Sequence, residues 1–271
     1  MGMVGGEVGS NRSPIEASFT TLPWNGGRLV RSPELHMKRL RDHVEKLGLI
    51  WPSDFAEQLS SALETLSPND SEGITENEFA QPSSLLRVEV DSNGVVELAG
   101  RPCIRTSRDV SGIAYPAPRY SREIQGLKHA DWKAYYDAGI AARESGADMA
   151  LLVHQGAVID GDRATPMLLD HDGVAWVSDP ELGGVHSTTL ELLSATLETT
   201  GIPLHYGRLT ESMFARAREV VMVGSGVVAV RLTTLDGERV GNGESILQPL
   251  FQRAVQETGW TSFEDWIEVV Q

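Results

Sequence analysis

Short apolar segments joined by tight-turn residues recur along the whole chain. The turn signals lie at residues 25–27, 91–94, 155–156 and 172–173, and each contains glycine. Such turns join two consecutive strands into a hairpin, because glycine accepts the backbone angles that the turn requires. Helical patterns are scattered among these hairpins. The sequence therefore predicts an α+β fold rather than a series of βαβ units.

The first part of the chain, residues 1–118, is predicted to form a small two-layer α+β domain. Apolar spacing predicts a helix that starts at Pro33 and ends near Gly48, and a second helix at 52–66. The polar, acidic stretch 68–82 is predicted to be exposed, and the Gly-rich stretch 1–13 to be loose. Alternation of apolar and polar residues predicts strands at 15–22, 28–30, 84–90 and 95–98.

Residues 119–125 are predicted to be a connector, and residues 126–271 a larger, barrel-like domain. No internal repeat is evident in either part. The predicted helices of the second part lie at 128–145, 188–199, 210–218 and 246–258. Its predicted strands lie at 150–153, 157–159, 166–169, 174–177, 219–223 and 227–232.

Composition narrows the class of protein. The net charge of −15 argues against a nucleic-acid binder, since such proteins carry a basic surface. A single cysteine, Cys103, excludes an intramolecular disulfide framework, and its strand-like surroundings indicate packing rather than catalysis. No apolar run approaches the ~18 residues that span a membrane. Residues 1–13 lack the apolar segment of a secretory signal peptide, so we expect no export signal. We therefore expect a cytoplasmic enzyme or binding protein.

One lysine stands out because of the residues downstream of it. Lys128 lies in Gly-Leu-Lys-His-Ala-Asp-Trp, after the connector. A hairpin carboxylate, Asp160, comes next, followed by a Gly-Gly turn before a helix at 183–186 and a Gly-Ser-Gly turn after a strand at 224–226. A positive charge at the predicted start of a helix opposes the helix dipole. This mild penalty favours a special role for Lys128.

Taken together, these motifs resemble the class IV aminotransferases, which include branched-chain and D-amino-acid aminotransferases and 4-amino-4-deoxychorismate lyase. His-Met-Lys-Arg-Leu at 36–40 is similar to the family's His-x-x-Arg-Leu. Residues 182–187 and 224–226 resemble its Leu-x-Gly-Ile-Thr-Arg and Thr-Gly-Thr turns. The resemblance implies a two-domain, fold-type IV enzyme that uses pyridoxal 5′-phosphate (PLP). It also implies a site between the domains and a homodimer that completes the pocket.

The resemblance assigns Lys128 as the catalytic residue. This lysine would hold the aldehyde of PLP as a Schiff base and would carry a proton during the reaction. Asp160 would pair with the pyridine nitrogen, because a nearby anion raises the pKa of that nitrogen. Arg39 would bind the phosphate, since a guanidinium matches phosphate oxygens in a two-point contact.

The remaining phosphate contacts come from the two turns. The backbone of Val185 and His186 would bind phosphate, because free N–H groups and the helix dipole attract anions to the start of a helix. Ser225 would donate its hydroxyl. We predict no metal site, because the sequence has no run of metal-ligand residues.

Several positions depart from the family pattern, and two of them are Ala164-Thr165-Pro166 after Asp160 and His186-Ser187 in the turn before the helix. Asp160 stands where the family has glutamate, so its side chain is one methylene shorter. Trp132 stands where the family usually has tyrosine, near the oxygen on the PLP ring. Residues 11–16 replace a Tyr-Gly-Asp-Gly-like run.

The sequence thus predicts an aminotransferase that moves an amino group between an amino acid and a 2-oxo acid through a Lys128 Schiff base. One alternative is 4-amino-4-deoxychorismate lyase, which releases pyruvate and starts from the same covalent complex. The other is a non-catalytic relative with the same fold, which the departures at Asp160, Trp132, Thr165-Pro166 and His186-Ser187 motivate. Neither nucleic acid nor a membrane is an expected partner.

Overall fold

The structure is a computed structural model, which describes residues 12–67, 77, 80–103 and 109–271. The helices are α1 (Pro33–Lys46), α2 (Phe55–Thr65), α3 (Lys133–Glu144), α4 (Thr188–Thr199), α5 (Glu211–Arg216), α6 (Leu247–Thr258) and α7 (Phe263–Val270). The first five strands are β1 (Ala17–Trp24), β2 (Leu29–Val30), β3 (Ser84–Asp91), β4 (Val96–Pro102) and β5 (Asp109–Pro116).

The remaining strands follow α3. They are β6 (Met149–His154), β7 (Ala157–Gly161), β8 (Thr165–Leu169), β9 (Ala175–Ser178), β10 (Leu204–Gly207), β11 (Leu209–Thr210), β12 (Glu219–Gly224), β13 (Val228–Leu235), β14 (Glu238–Arg239) and β15 (Thr261–Ser262). This mixture of helices and mainly antiparallel strands confirms the predicted α+β class.

The smaller sheet has the order β15-β2-β1-β3-β4, and its strands pair antiparallel. Residues on one face pack into a core with α1, α2 and α7, in which Leu22, Leu40 and Trp266 are fully buried. Because side chains alternate along β1, Thr20 lies on the same face as Leu22, whereas Phe19 lies on the opposite face. The sheet therefore presents different residues to α1 and to the second half of the chain.

The larger sheet has the order β10-β9-β8-β12-β13-β5-β6-β7-β11, with β14 paired to β13. Its two ends approach each other, since β7 and β11 contact β9. One apolar core fills the inside of this curved sheet around Leu151, Phe214 and Met222. A second core lies under α4 and α6. The sheet is therefore closed far enough to resemble the predicted barrel.

Most predicted elements are present, and α4 has the predicted bounds. The predicted helix at 128–145 is wrong in its first turn: α3 starts at Lys133, and residues 128–130 lie against β1 instead. The helix-dipole argument for Lys128 therefore does not apply. Ala80 and Gln81, predicted to be exposed, are fully buried. The structure does not describe residues 68–76 and 78–79 of that stretch, nor residues 1–11.

Several elements were not predicted, namely β5, the short strands β10, β11, β14 and β15, and the helix α7. β5 lies between β13 and β6, parallel to both, so that β5, α3 and β6 form one βαβ unit. A buried position of β5 is Gly112, where a Cβ would come within 3.0 Å of Leu151 and Leu232, so the strand lacks the usual apolar signal. The domain boundaries at 118 and 126 stay predictions. Sheet membership crosses them, since β5 belongs to the larger sheet and β15 to the smaller one.

In the part of the chain that the structure describes, none of the helices is long and apolar enough to cross a membrane.

Glu219 secures the start of α6 from within the core. It is fully buried at the beginning of β12. Its Oε2 accepts the N–H groups of Ile246 and Leu247, both at 2.7 Å, and its Oε1 accepts the N–H of Gln248 at 3.2 Å. Ser245 donates its hydroxyl to the same Oε1 at 3.0 Å. One carboxylate thus satisfies three free N–H groups at a helix start.

We expect Glu219→Gln to lower the free energy of unfolding by about 3 kcal/mol, because the amide replaces an acceptor with a donor that faces buried N–H groups. Urea denaturation followed by circular dichroism measures this change. The matched control is Glu257→Gln, at an exposed position of α6, which should shift stability by less than about 0.5 kcal/mol. Equal stability of the two variants would contradict this role for Glu219.

Candidate active site

The main chain of Lys128 is held by the small sheet and by α1. Its carbonyl oxygen accepts hydrogen bonds from the N–H of Phe19 at 3.2 Å and from Oγ of Ser18 at 2.9 Å. Its N–H donates to Nδ1 of His43 at 3.0 Å. Both backbone polar groups of Lys128 are therefore paired with residues that precede it by many positions in the chain.

The Lys128 side chain lies against two aromatic rings. Its Nζ is 4.9 Å from the centre of the Phe19 ring and 4.4 Å from the centre of the Trp132 ring. Both aromatic residues are buried. Among the described residues, Lys128 forms no ion pair. The ammonium is thus stabilised mainly by ring faces, which attract a cation less strongly than a carboxylate does.

The surroundings of Lys128 favour a neutral amine. Removal of the ammonium group from water lowers the pKa of Lys128 well below its usual range. The positive charges of Arg39, Arg87 and Arg101 lower this pKa further, whereas the Asp160 carboxylate opposes the change. A lysine amine is nucleophilic only when it is neutral, so this environment suits a reactive lysine.

Arg39, on α1, is buried and contacts the turn before α4. Its guanidinium donates to the carbonyl oxygen of His186 at 3.1 Å and to Oγ1 of Thr20 at 2.7 Å. Its Nε is buried and has no hydrogen-bond partner among the described residues. Burial lowers the pKa of Arg39 to about 10, although Glu191 and Asp160 oppose this, and the group stays charged at neutral pH. The guanidinium therefore keeps free donors for an anion.

A chain of polar groups orients Arg39. Oγ1 of Thr20 lies 2.9 Å from Nδ1 of His36, and Nε2 of that ring lies 3.3 Å from Oγ1 of Thr188. Thr20 accepts from Arg39, so we assign its own proton to the bond with Nδ1, which leaves the ring proton on Nε2. Burial and the charges of Arg39 and Lys128 lower the pKa of His36 well below its usual value, so the ring is neutral.

Asp160 is buried at the end of β7. Its Oδ1 accepts the N–H of Gly161 at 2.9 Å, and its Oδ2 accepts the N–H of Val185 at 3.0 Å. The second contact depends on a glycine, because a Cβ at position 184 would lie 2.3 Å from the carbonyl oxygen of Ile159. The short side chain thus ties β7 to the turn before α4.

The pKa of Asp160 is raised toward neutral pH. Burial raises the pKa of Asp160 to about 6, and the Asp162 carboxylate raises it further. The two backbone donors and Lys128 oppose this shift because they stabilise the charged form. The carboxylate is the predominant form at pH 7, and the site then contains one buried negative group among several positive ones.

The structure brings five of the six predicted site residues into one connected group, namely Arg39, Lys128, Asp160, Val185 and His186. The amide of Val185, predicted to bind phosphate, donates to Asp160. Ser225 follows β12 and lines a small cavity together with His36 and Thr188, which belong to the polar chain of Arg39.

An aromatic wall closes one side of the site. Trp132 stacks on Tyr135, with ring centres 3.8 Å apart and planes 9° apart, and meets Phe19 edge to face at 5.2 Å. Burial, together with the charge of Asp160, raises the pKa of Tyr135 well above its usual value. The Tyr135 phenol is therefore neutral and close to Asp160. This tyrosine lies one helical turn beyond the position at which the family pattern places one.

Two residues of the site, Thr20 and His43, were not predicted. Thr20 looked like an ordinary polar position of a half-buried strand. His43 could have been found from spacing, since His36, Arg39 and His43 are three and then four residues apart and share one face of α1. A helix face that buries three basic residues is unusual for a structural helix.

The sequence matches the profile of the family described as amino-transferase class IV over residues 17–235. The chain belongs to the class IV aminotransferase family. This family depends on PLP. The matched segment contains Arg39, Lys128, Asp160 and Ser225.

Solved structures agree with the family. A protein provisionally assigned as 4-amino-4-deoxychorismate lyase is 26% identical, with a TM-score of 0.67, and the match covers 88% of this chain and 89% of that one. A hypothetical aminotransferase from Mycobacterium tuberculosis, in its PLP-bound form, is 18% identical, with a TM-score of 0.74 and 95% of both chains covered.

The branched-chain amino acid aminotransferase from Escherichia coli is more distant, with 14% identity and a TM-score of 0.70, over 88% of this chain and 83% of that one. At 18% and 14% identity, the two aminotransferases show a shared fold. No protein of curated function matches the sequence.

The residues present fit PLP. The cofactor needs an amine that is readily neutral, which Lys128 supplies, and a carboxylate, which Asp160 supplies. Its phosphate needs donors, and the buried Nε of Arg39 has no hydrogen-bond partner in the described part of the chain. The candidate site therefore contains groups of the kinds that the cofactor requires, although the Val185 amide is already bonded to Asp160.

The lowered pKa of Lys128 can be tested without cofactor. The chain has only four lysines, Lys38, Lys46, Lys128 and Lys133. Only a neutral amine reacts with acetic anhydride, so we expect acetylation of Lys128 to reach half its maximum at a lower pH than that of Lys38. Lys38 is the internal control, since its hydrogen bond with Glu191 raises its pKa. Trace acetylation of the cofactor-free protein, read by mass spectrometry, gives both curves, and coincident curves would contradict the prediction.

Proposed function

We propose that the protein is a PLP-dependent aminotransferase that moves an amino group between an amino acid and a 2-oxo acid, with Lys128 bonded to the cofactor. The observation that carries this proposal is the environment of Lys128. Its amine is largely removed from water, surrounded by positive charge and clear of ion pairs within the described residues. A surface lysine has none of these properties, and each of them makes the amine a better nucleophile.

PLP supplies an electron sink that stabilises negative charge at the α-carbon of an amino acid. The protein has to position the reacting groups and move a proton. Lys128 Nζ would carry that proton, because its lowered pKa favours the neutral amine, which can accept a proton and return it. The aromatic wall of Phe19, Trp132 and Tyr135 would keep water from the reacting atoms.

The remaining roles follow from charge. Arg39 would bind the phosphate through its free N–H groups, assisted by the backbone of His186 and by Ser225. The Val185 amide would join them only if its bond to Asp160 opened. Asp160 would stabilise positive charge on the pyridine nitrogen, because it is the buried carboxylate beside Lys128.

A second candidate is 4-amino-4-deoxychorismate lyase, which releases pyruvate. It is favoured by the 26% identity with the protein provisionally assigned that activity. Both reactions need the same lysine and phosphate contacts, so the geometry around Lys128 supports them equally. The choice between them rests on the substrate that the mouth of the site accepts.

For the proposed aminotransferase reaction, the substrates are an amino acid and a 2-oxo acid. A homodimer that completes the pocket and a cytoplasmic location are further proposals. The family resemblance supports the first, and the acidic composition supports the second.

The bond between Lys128 and the cofactor is tested first. Purified protein is saturated with PLP and dialysed, and its visible absorbance is recorded before borohydride reduction and peptide mapping. We expect a visible band and a reduced label on Lys128, because that lysine has the lowered pKa. Lys128→Ala should lose both signals, whereas the control Lys133→Ala, on the surface of α3, should keep them. A label on another lysine would reject the assignment.

A separate, unreduced sample of the PLP-loaded protein then distinguishes the two reactions. An aminotransferase mixed with a suitable amino acid alone loses the visible band once per site, because the amino group remains on the cofactor, and a 2-oxo acid restores the band. A lyase mixed with 4-amino-4-deoxychorismate releases pyruvate in many turnovers and keeps the band. If the protein shows neither of these responses, both candidates are rejected and a non-catalytic relative is favoured.

The phosphate contact predicts a selective effect of Arg39. We expect Arg39→Met to weaken binding of PLP about 30-fold, because a charge-assisted contact of about 2 kcal/mol is lost. Binding of pyridoxal, which has no phosphate, should change little. Arg41→Met is the control, since Arg41 lies on the exposed side of α1 in a surface pair with Glu45. Fluorescence titration measures both affinities, and an equal loss for both ligands would contradict the phosphate role.

A further inference from the structure

The backbone of Lys128 lies outside the regular helices and strands, so its N–H has no partner from a helix or a ladder. The acceptor is a side chain, Nδ1 of His43, at 3.0 Å. The opposite side of the residue, its carbonyl oxygen, accepts from Ser18 and Phe19. These contacts leave the lysine side chain with one direction in which to enter the site.

His43 can accept this bond only as a neutral ring. Nδ1 must offer its lone pair to the N–H, so the ring proton is on Nε2. Burial lowers the pKa of His43 to about 2, and the charges of Arg39, Lys128 and Lys46 lower it too. The ring is 3% exposed. The neutral ring therefore acts as a hydrogen-bond acceptor at neutral pH.

The position of His43 connects the lysine with the phosphate contact. His43 follows Arg39 by four residues, so both side chains leave the same face of α1, one turn apart. The helix itself is packed on β1, which holds the Lys128 carbonyl. One rigid helix face thus sets the spacing between the reactive amine and the phosphate-binding guanidinium.

We propose that His43 is a positioning residue for Lys128, and that its imidazole fixes the main-chain N–H so that the lysine amine meets the aldehyde of the cofactor. The proposal rests on the function proposed above, in which Lys128 bonds to PLP. His43 does not touch the cofactor and acts through the lysine. Loss of the acceptor would leave the buried N–H of Lys128 without a hydrogen-bond partner. The backbone of residues 127–129 would then reorient, and the amine would move away from the aldehyde.

Two ligands separate positioning from a merely structural role. PLP carries an aldehyde that bonds to lysine, whereas pyridoxine 5′-phosphate has an alcohol at that position and cannot form the bond. We expect His43→Leu to weaken binding of PLP at least tenfold and to leave binding of pyridoxine 5′-phosphate unchanged. His43→Asn keeps an oxygen acceptor near the place of Nδ1, so it should stay within about threefold of the parent for both ligands.

The controls make each failure distinct. His171→Leu, in an exposed turn, should change neither affinity. Lys128→Ala should remove the preference for PLP over pyridoxine 5′-phosphate, and if it does not, the proposed role of Lys128 fails before that of His43 is considered. If Lys128→Ala behaves as expected while His43→Leu weakens both ligands equally, or neither, the positioning role is overturned.

A second variant covers the case in which His43→Leu does not fold. His43→Gln keeps a polar side chain but moves the acceptor one bond further from the helix. We expect it to fold, as judged by circular dichroism, and to lose the preference for PLP in the same selective way. A His43→Gln protein with the full preference of the parent would overturn the proposal.

Discussion

A short antiparallel contact between β1 and residues 128–130 holds the site together. The Lys128 carbonyl accepts from Ser18 and Phe19, and the Ala130 N–H donates to Ala17 at 2.9 Å. The same strand belongs to the smaller sheet, whereas α3, which follows Lys128, packs on the larger one. If this contact were lost, the lysine would no longer face Phe19, and the two sheets would lose a backbone connection beside the site. The position of Lys128 is therefore defined by long-range pairing rather than by a helix or a turn.

The net effect of burial and of the neighbouring charges is to lower the pKa of Lys128. Arg39, Arg87 and Arg101 surround the amine with positive charge, and Asp160 is the opposing buried carboxylate. The two neutral histidines of α1 add hydrogen-bonding capacity without adding charge. A site of this kind favours anions and a neutral lysine, which are the two conditions that PLP chemistry requires. The cost is the burial of basic groups, which the hydrogen bonds of Arg39 and the ring contacts of Lys128 offset in part.

Local patterns predicted what local physics determines. The amphipathic spacing of α1 and α4 and the glycine turns of the hairpins were visible in the sequence, and so were Lys128 and Arg39 through their motifs. The missed features depend on distant partners. β5 is held as a strand by pairing with β13 and β6, although Gly112 gives it no apolar signal, and residues 128–130 lie against β1 because β1 pairs with them. The bond of Val185 to Asp160 depends on a close backbone approach at Gly184, which spacing alone does not reveal.

The return of β15 and α7 to the smaller sheet has a consequence for biosynthesis. Trp266 is fully buried in the core formed by α1, α2 and β1, although the ribosome makes those elements long before it makes α7. While the second half of the chain is being translated, this core presents an open apolar surface. Chains emerge and fold from the N-terminus, and exposed apolar surface promotes association with other chains. Translation speed and chaperone binding during this interval should therefore influence the yield of active protein, because α1 carries Arg39 and His43 and is packed fully only when α7 arrives.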